Sequence, residues 1–76
     1  MFLFDDTIRD NIRHARSDAT DGEIEAACRE ANCDGFIRNV EKGYDTPAGE
    51  NGNLLSGGER QRICIARAIL KNSPIL

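Results

Sequence analysis

Leu54-Leu55-Ser56-Gly57-Gly58-Glu59-Arg60-Gln61-Arg62 is the stretch on which the reading of this chain depends. Ser56 and Glu59 stand three apart ahead of an apolar-periodic run. That is the spacing of a capping box, in which each side chain satisfies the other residue's backbone N–H. Ile63, Ala66, Ile69 and Leu70 then recur at i, i+3, i+6 and i+7, which predicts a helix from the Ser56 cap to about residue 71. Lys71 falls in its last turn, where a cation suits the helix dipole; Asn72 ends it and Pro74 forbids continuation. Ile75-Leu76 reads as the start of an apolar strand. Gly57 and Gly58 are locally unfavourable here, since each glycine costs about 1 kcal/mol relative to alanine inside a helix and less at its start. Two readings fit. In one, the missing Cβ atoms let an anion reach the unsatisfied N–H groups of a helix N-terminus, with Ser56 adding a hydroxyl and Arg60 and Arg62 adding positive potential. In the other, a tight loop-to-helix turn simply needs glycine.

Outward from this segment the chain reads as helices. Ile8 and Ile12 share one face of a short helix at about residues 7–14, with Thr7 or Asp6 as cap. Phe2-Leu3-Phe4 is its apolar lead-in, a stretch that would be poorly protected at a true N-terminus. Thr20 and Glu23 form a first capping box, and Ile24, Ala27, Cys28 and Ala31 make one clean apolar face of a helix at about 20–31, ended by Asn32 or Cys33. Asp34 is expected to cap a further short helix carrying Phe36, Ile37 and Val40, with Gly43 as its stop. Residues 43–55 read as loop, with one extended stretch at Tyr44-Asp45-Thr46 and breakers at Pro47, Gly49 and Gly52. Glu50 and Asn51 have no obvious core role there.

The composition is globular, with 39% hydrophobic and 30% charged residues. A chain of 76 residues is at most one small domain, and its stability is marginal on its own. No apolar run approaches a membrane span and no secretory signal is visible. The net charge of −3 divides into −6 over residues 1–50 and +3 over residues 51–76. A basic tail suits nucleic acid, an anionic ligand or a solvated helix face, and the last is the commonest reason for one. Cys28, Cys33 and Cys64 are odd in number, show no C-x-x-C spacing and stand far from the one histidine, His14. No zinc site assembles from them; they read as small buried apolar residues in a reducing compartment.

Four segments carry a family resemblance, and together they cover essentially the whole chain. Leu55-Ser56-Gly57-Gly58-Glu59-Arg60-Gln61-Arg62 resembles the signature motif of ATP-binding cassette (ABC) proteins. Ala66-Arg67-Ala68-Ile69-Leu70 followed by Pro74-Ile75-Leu76 is similar to the run into that family's Walker B strand. Residues 2–12 resemble the segment after the Q-loop of ABC exporters, and Gly43-Tyr44-Asp45-Thr46 with Gly49-Glu50-Asn51-Gly52 resembles their X-loop region. Pro47-Ala48 departs from the pattern, since exporters often place a polar and then a β-branched residue there.

The resemblance implies a mainly α fold: the small helical subdomain, about four helices over residues 1–76, of a P-loop ABC ATPase domain, incomplete without its α/β core. It implies that Ser56 and Gly58 contact the γ-phosphate of ATP held by a second, head-to-tail ATPase domain, with Gly57 allowing the approach. Glu59 and Gln61 would lie near the nucleotide; Glu50 would belong to the loop sensing the membrane domain, and Phe2, Leu3 and Phe4 would lie near the groove for its coupling helix. ATP and Mg²⁺ would belong to the parent protein, which would hydrolyse ATP to drive transport at the cytoplasmic face of a membrane. There is no G-x-x-x-x-G-K-[ST] and no apolar strand ending in Asp-Glu, so this chain alone is expected to be inactive, to bind no cofactor or metal and to bind no nucleic acid. It reads as an excised piece whose uncovered apolar surface favours self-association, which sedimentation at high concentration checks. Two other readings are a small non-enzymatic regulatory module and a fragment of a non-transport ABC ATPase. A stop codon directly after Leu76 in the natural gene would favour the module; a coiled coil upstream in place of a membrane domain would favour the non-transport ATPase.

Overall fold

The structure, a computed structural model, describes residues 2–72. Among these residues the regular elements are helical: α1 (Ile8–Arg13), α2 (Asp21–Glu30), α3 (Asp34–Asn39) and α4 (Gly57–Asn72), with 3-10 turns at Gly43–Asp45 and Glu50–Gly52. The expected Pro74 stop and the Ile75-Leu76 strand start lie outside the described residues.

Local chemistry accounts for most boundaries. Thr7 caps α1, its hydroxyl accepting from the Asp10 N–H at 3.1 Å. Thr20 and Glu23 close the expected capping box on α2, at 3.1 Å and 2.8 Å in the two directions. Asn32, in the left-handed region at φ 62, ends that helix. Two expectations are corrected. Asp34 does not cap α3: Cys33 precedes the helix without a side-chain cap bond, and the Asp34 carboxylate turns instead to Arg38 and the Tyr44 hydroxyl. Tyr44-Asp45 is not extended but sits in a 3-10 turn entered through Gly43 at φ +54. Extended pairing begins a step later, where Thr7 and Pro47 form an antiparallel bridge. Its bonds run from the Ile8 N–H to the Thr46 carbonyl and from the Ala48 N–H to the Asp6 carbonyl, both 2.9 Å, so the missing N–H of Pro47 is never required.

One core joins all the elements. Ile8 and Ile12 of α1, Ile24, Ala27 and Cys28 of α2, Ile37 of α3 and Ile63, Ala66 and Leu70 of α4 pack together with Leu3, Cys33 and Tyr44. The longest helix, α4, lies across α2 and α1. Leu3 is only 1% exposed, so the middle of the lead-in is held in the core while Phe2 and Phe4 stay exposed. Asn11, fully buried, explains how: its side chain accepts from the Phe4 N–H at 2.7 Å and donates to the Phe4 and Thr7 carbonyls at 3.0 and 3.1 Å. A buried amide with its partners in place fixes a segment that has no secondary structure of its own.

Candidate functional site

The N-terminus of α4 is the candidate site. Its capping box is complete: the Ser56 hydroxyl accepts from the Glu59 N–H at 3.1 Å, and the Glu59 carboxylate accepts from the Ser56 N–H at 2.9 Å. Ser56, Gly57 and Gly58 are all exposed. Among the described residues the N–H groups of Gly57 and Gly58 have no acceptor. Two bare donors thus stand at the positive end of a helix of 16 residues.

The geometry of the two glycines bears on both readings of this turn. Neither has a positive φ. A Cβ added to Gly57 would meet nothing within 4 Å, and one added to Gly58 would meet only the end of the Arg62 side chain at 3.7 Å. The turn therefore does not need glycine, and internal packing does not explain the pair. Arg62 also brings a guanidinium beside a helix end that is already positive, an arrangement that an incoming anion would stabilise. Arg60 and Arg62 have no carboxylate partner among the described residues, whereas Arg9, Arg13, Arg16 and Arg38 are all paired.

The remaining expected residues lie in two places. Glu59 is engaged in the capping box, and Gln61 is exposed on the same first turns. Glu50 is exposed in the 3-10 turn that precedes α4. Leu3 faces inward, while Phe2 and Phe4 are 57% and 37% exposed and pack edge to face at 5.1 Å. They do not meet the glycine pair. They sit against the middle of α4, where Arg67 donates to the Phe2 carbonyl at 2.6 Å and its guanidinium lies 5.8 Å from the Phe4 ring centre. A groove of about 390 Å³ opens there, lined by Phe2, His14, Cys64, Arg67 and Lys71.

Asn51 and Gly52 link these two places, which the sequence did not disclose. The Asn51 side chain accepts from the Leu3 N–H at 3.1 Å, across 48 residues of chain. Gly52, at φ +71, lies between Leu3 and the aliphatic part of Arg60: an added Cβ would stand 2.7 Å from Leu3 Cδ1 and 2.9 Å from Arg60 Cδ. The only prior signal was the glycine-flanked pair Glu50-Asn51, which fits a tight turn but names no partner.

The fold agrees with that of a solved relative. The sequence pattern described as "ABC transporter" matches residues 2–76, and the chain belongs to that family. Among curated relatives it is 57% identical over 74 residues to the ATP-dependent lipid A-core flippase of Legionella pneumophila (strain Lens), covering 97% of this chain and 13% of the flippase. It is 58% identical over 74 residues to the beta-(1-->2)glucan export ATP-binding/permease protein NdvA of Bartonella bacilliformis, covering 97% of this chain and 12% of that protein. Among solved structures it superposes on a bacterial Atm1-family ABC exporter with ATP bound, with a TM-score of 0.91 and 48% identity, covering 96% of this chain and 13% of that one. The chain thus spans about 13% of the length of the relatives it matches.

Proposed function

We propose that this chain is the helical subdomain of the ATPase domain of an ABC exporter, and that it completes an ATP site held by a second such domain. Ser56, Gly57 and Gly58 reach the γ-phosphate in trans: the serine donates its hydroxyl, and the glycines offer bare N–H groups at a range that side chains would forbid. Ser56 can accept from the Glu59 N–H and still donate to a phosphate oxygen, since a hydroxyl does both. Glu59 holds the cap, and Gln61 lies close by. ATP and its Mg²⁺ are bound by the parent outside this chain, at the cytoplasmic face of the membrane. Glu50, with Phe2 and Phe4, contacts the membrane domain's coupling helices, while Leu3 anchors that contact to the core. The observation that carries the reading is that Gly57 and Gly58 are required by nothing inside the chain.

The test is made on the complete transporter. Ser56→Ala removes a cap worth about 1 kcal/mol of helix stability. If the hydroxyl also serves the transition state, turnover falls about 10²-fold, the scale of losing one preorganised donor. Full ATPase turnover in Ser56→Ala and in Gly57→Val would refute the trans contact.

A further inference from the structure

Cys28 and Cys33 are both fully buried, both free and both part of the one core. Cys28 stands in the last turns of α2, and Cys33 is the residue before α3. The turn between them is a Schellman motif. In it Asn32 adopts φ 62, its N–H donates to the Arg29 carbonyl at 3.1 Å, and the Cys33 N–H donates to the Cys28 carbonyl at 2.9 Å. That last bond draws the two backbones together, toward the Cα separation of about 4.4–6.8 Å that a disulfide spans. Cys33 Sγ also donates, at 3.9 Å, to the carbonyl of Arg62 in the second turn of α4. Tyr44 encloses the pair, with its hydroxyl donating to Asp34 at 2.5 Å. The proposed nucleotide contact uses none of these groups.

We propose that Cys28 and Cys33 close into a reversible disulfide when a peroxide is present, stapling the end of α2 to the start of α3 and removing the thiol that Cys33 offers to α4. The Cys33 thiolate attacks a peroxide oxygen, the O–O bond breaks, and the leaving hydroxide takes up a proton as water. Cys28 then attacks the resulting sulfenic sulfur; the S–S bond forms, the S–O bond breaks, and a second water leaves. Each thiol loses one proton and one electron, and the peroxide is reduced to two waters. Cys33 is the attacking sulfur because hydrogen bonding from Cys28 holds its pKa below the usual thiol value, while the same bond and burial push Cys28 up. Since neither sulfur is exposed, peroxide enters through local opening of the packing around the turn, with the turn itself kept. Cys64, partly exposed on α4, serves as an internal control. The inference does not depend on the nucleotide reading.

The unmutated chain is treated with hydrogen peroxide, unfolded, alkylated and mapped by mass spectrometry after tryptic cleavage at Arg29 and Arg38. The expected product lacks two hydrogen atoms, links the Cys28 and Cys33 peptides, forms at a rate independent of protein concentration and returns to the dithiol with dithiothreitol. Once Cys33 is oxidised, ring closure in the folded chain should outcompete capture of the sulfenic acid by added dimedone at least tenfold better than in the same chain in urea, because the turn holds the two sulfurs together. Recovery of both cysteines as alkylated thiols or separate sulfinic acids, links only between copies, or an equal ratio of closure to capture folded and unfolded would each overturn the proposal. In Cys28→Ser the link is expected to vanish and Cys33 to over-oxidise; if that variant fails to fold, the product map of the unmutated chain still decides.

Discussion

Gly49 and Gly52 differ from Gly57 and Gly58 in what each pair serves, although a short stretch of chain separates them. The first pair is demanded from inside. Gly49 has φ +82 and ψ 171, a region essentially reserved to glycine, and a Cβ there would stand 2.1 Å from Asn53 Oδ1 and 2.7 Å from Leu54 Cγ. Gly52 is wedged between Leu3 and Arg60. The second pair has helical backbone, room for a side chain and no internal partner. Glycine in the first pair lets the chain fold; glycine in the second leaves a surface bare. A lone sequence pattern does not separate these cases, because both are glycines at a turn.

The largest effect should come from the first pair. Gly49→Ala or Gly52→Ala should destabilise the chain by about 3 kcal/mol, combining a backbone conformation hostile to L side chains with overpacking. For a small domain this approaches the whole stability. The urea midpoint measures it, and an unchanged midpoint in either variant would dissolve the contrast.

An intermediate effect concerns the framework that holds the loop. Asp34 is held below the usual carboxylate range first by the Tyr44 hydroxyl and then by Arg38. Asp21 is lowered first by its hydrogen bond from Arg13, and Glu23 first by the backbone N–H of Thr20. A carboxylate whose folded pKa is depressed contributes stability that is present above its unfolded pKa and lost as the pH falls through the folded value. The chain should therefore hold its urea midpoint down to about pH 5 and lose it progressively below about pH 4. A midpoint equally high at about pH 3 would show that these contacts contribute nothing.

The smallest effect is the most diagnostic. Gly57→Ala and Gly58→Ala should leave the chain's stability unchanged or raise it by about 0.5 kcal/mol, because alanine suits a helix better than glycine. The same substitutions in the complete transporter should slow ATP hydrolysis. If either one destabilises the chain by more than about 1 kcal/mol, the pair is structural and the proposed phosphate contact loses its support.

Much of the architecture was legible in order along the chain. Periodic apolar faces located the helices, and the capping boxes at Thr20/Glu23 and Ser56/Glu59 located two starts to the residue. Such signals are local: a cap bond or an i, i+4 face involves residues within a turn of each other. The failures were equally specific. Asp34 had the right residue type and position to cap α3, but Arg38 and Tyr44 compete for its carboxylate. Tyr44-Asp45 looked extended, but Gly43 at φ +54 admits a tight turn that carries Tyr44 into the core. Of Phe2-Leu3-Phe4, which looked poorly protected, Phe2 and Phe4 are exposed but Leu3 is buried, because Asn11, Asn51 and Arg67, which fasten the segment, are distant in sequence or carry no apolar signal.

By itself, then, the sequence determined the helical class, the order of the helices, the capped start of α4 and the family to which its motifs belong. It did so because caps, stripes and motifs are written in neighbouring residues. Tertiary structure alone decided which glycines the fold needs and where the lead-in is pinned. Those outcomes depend on the space and hydrogen-bond partners that distant segments leave to one another, and these exist only once the chain has closed on itself.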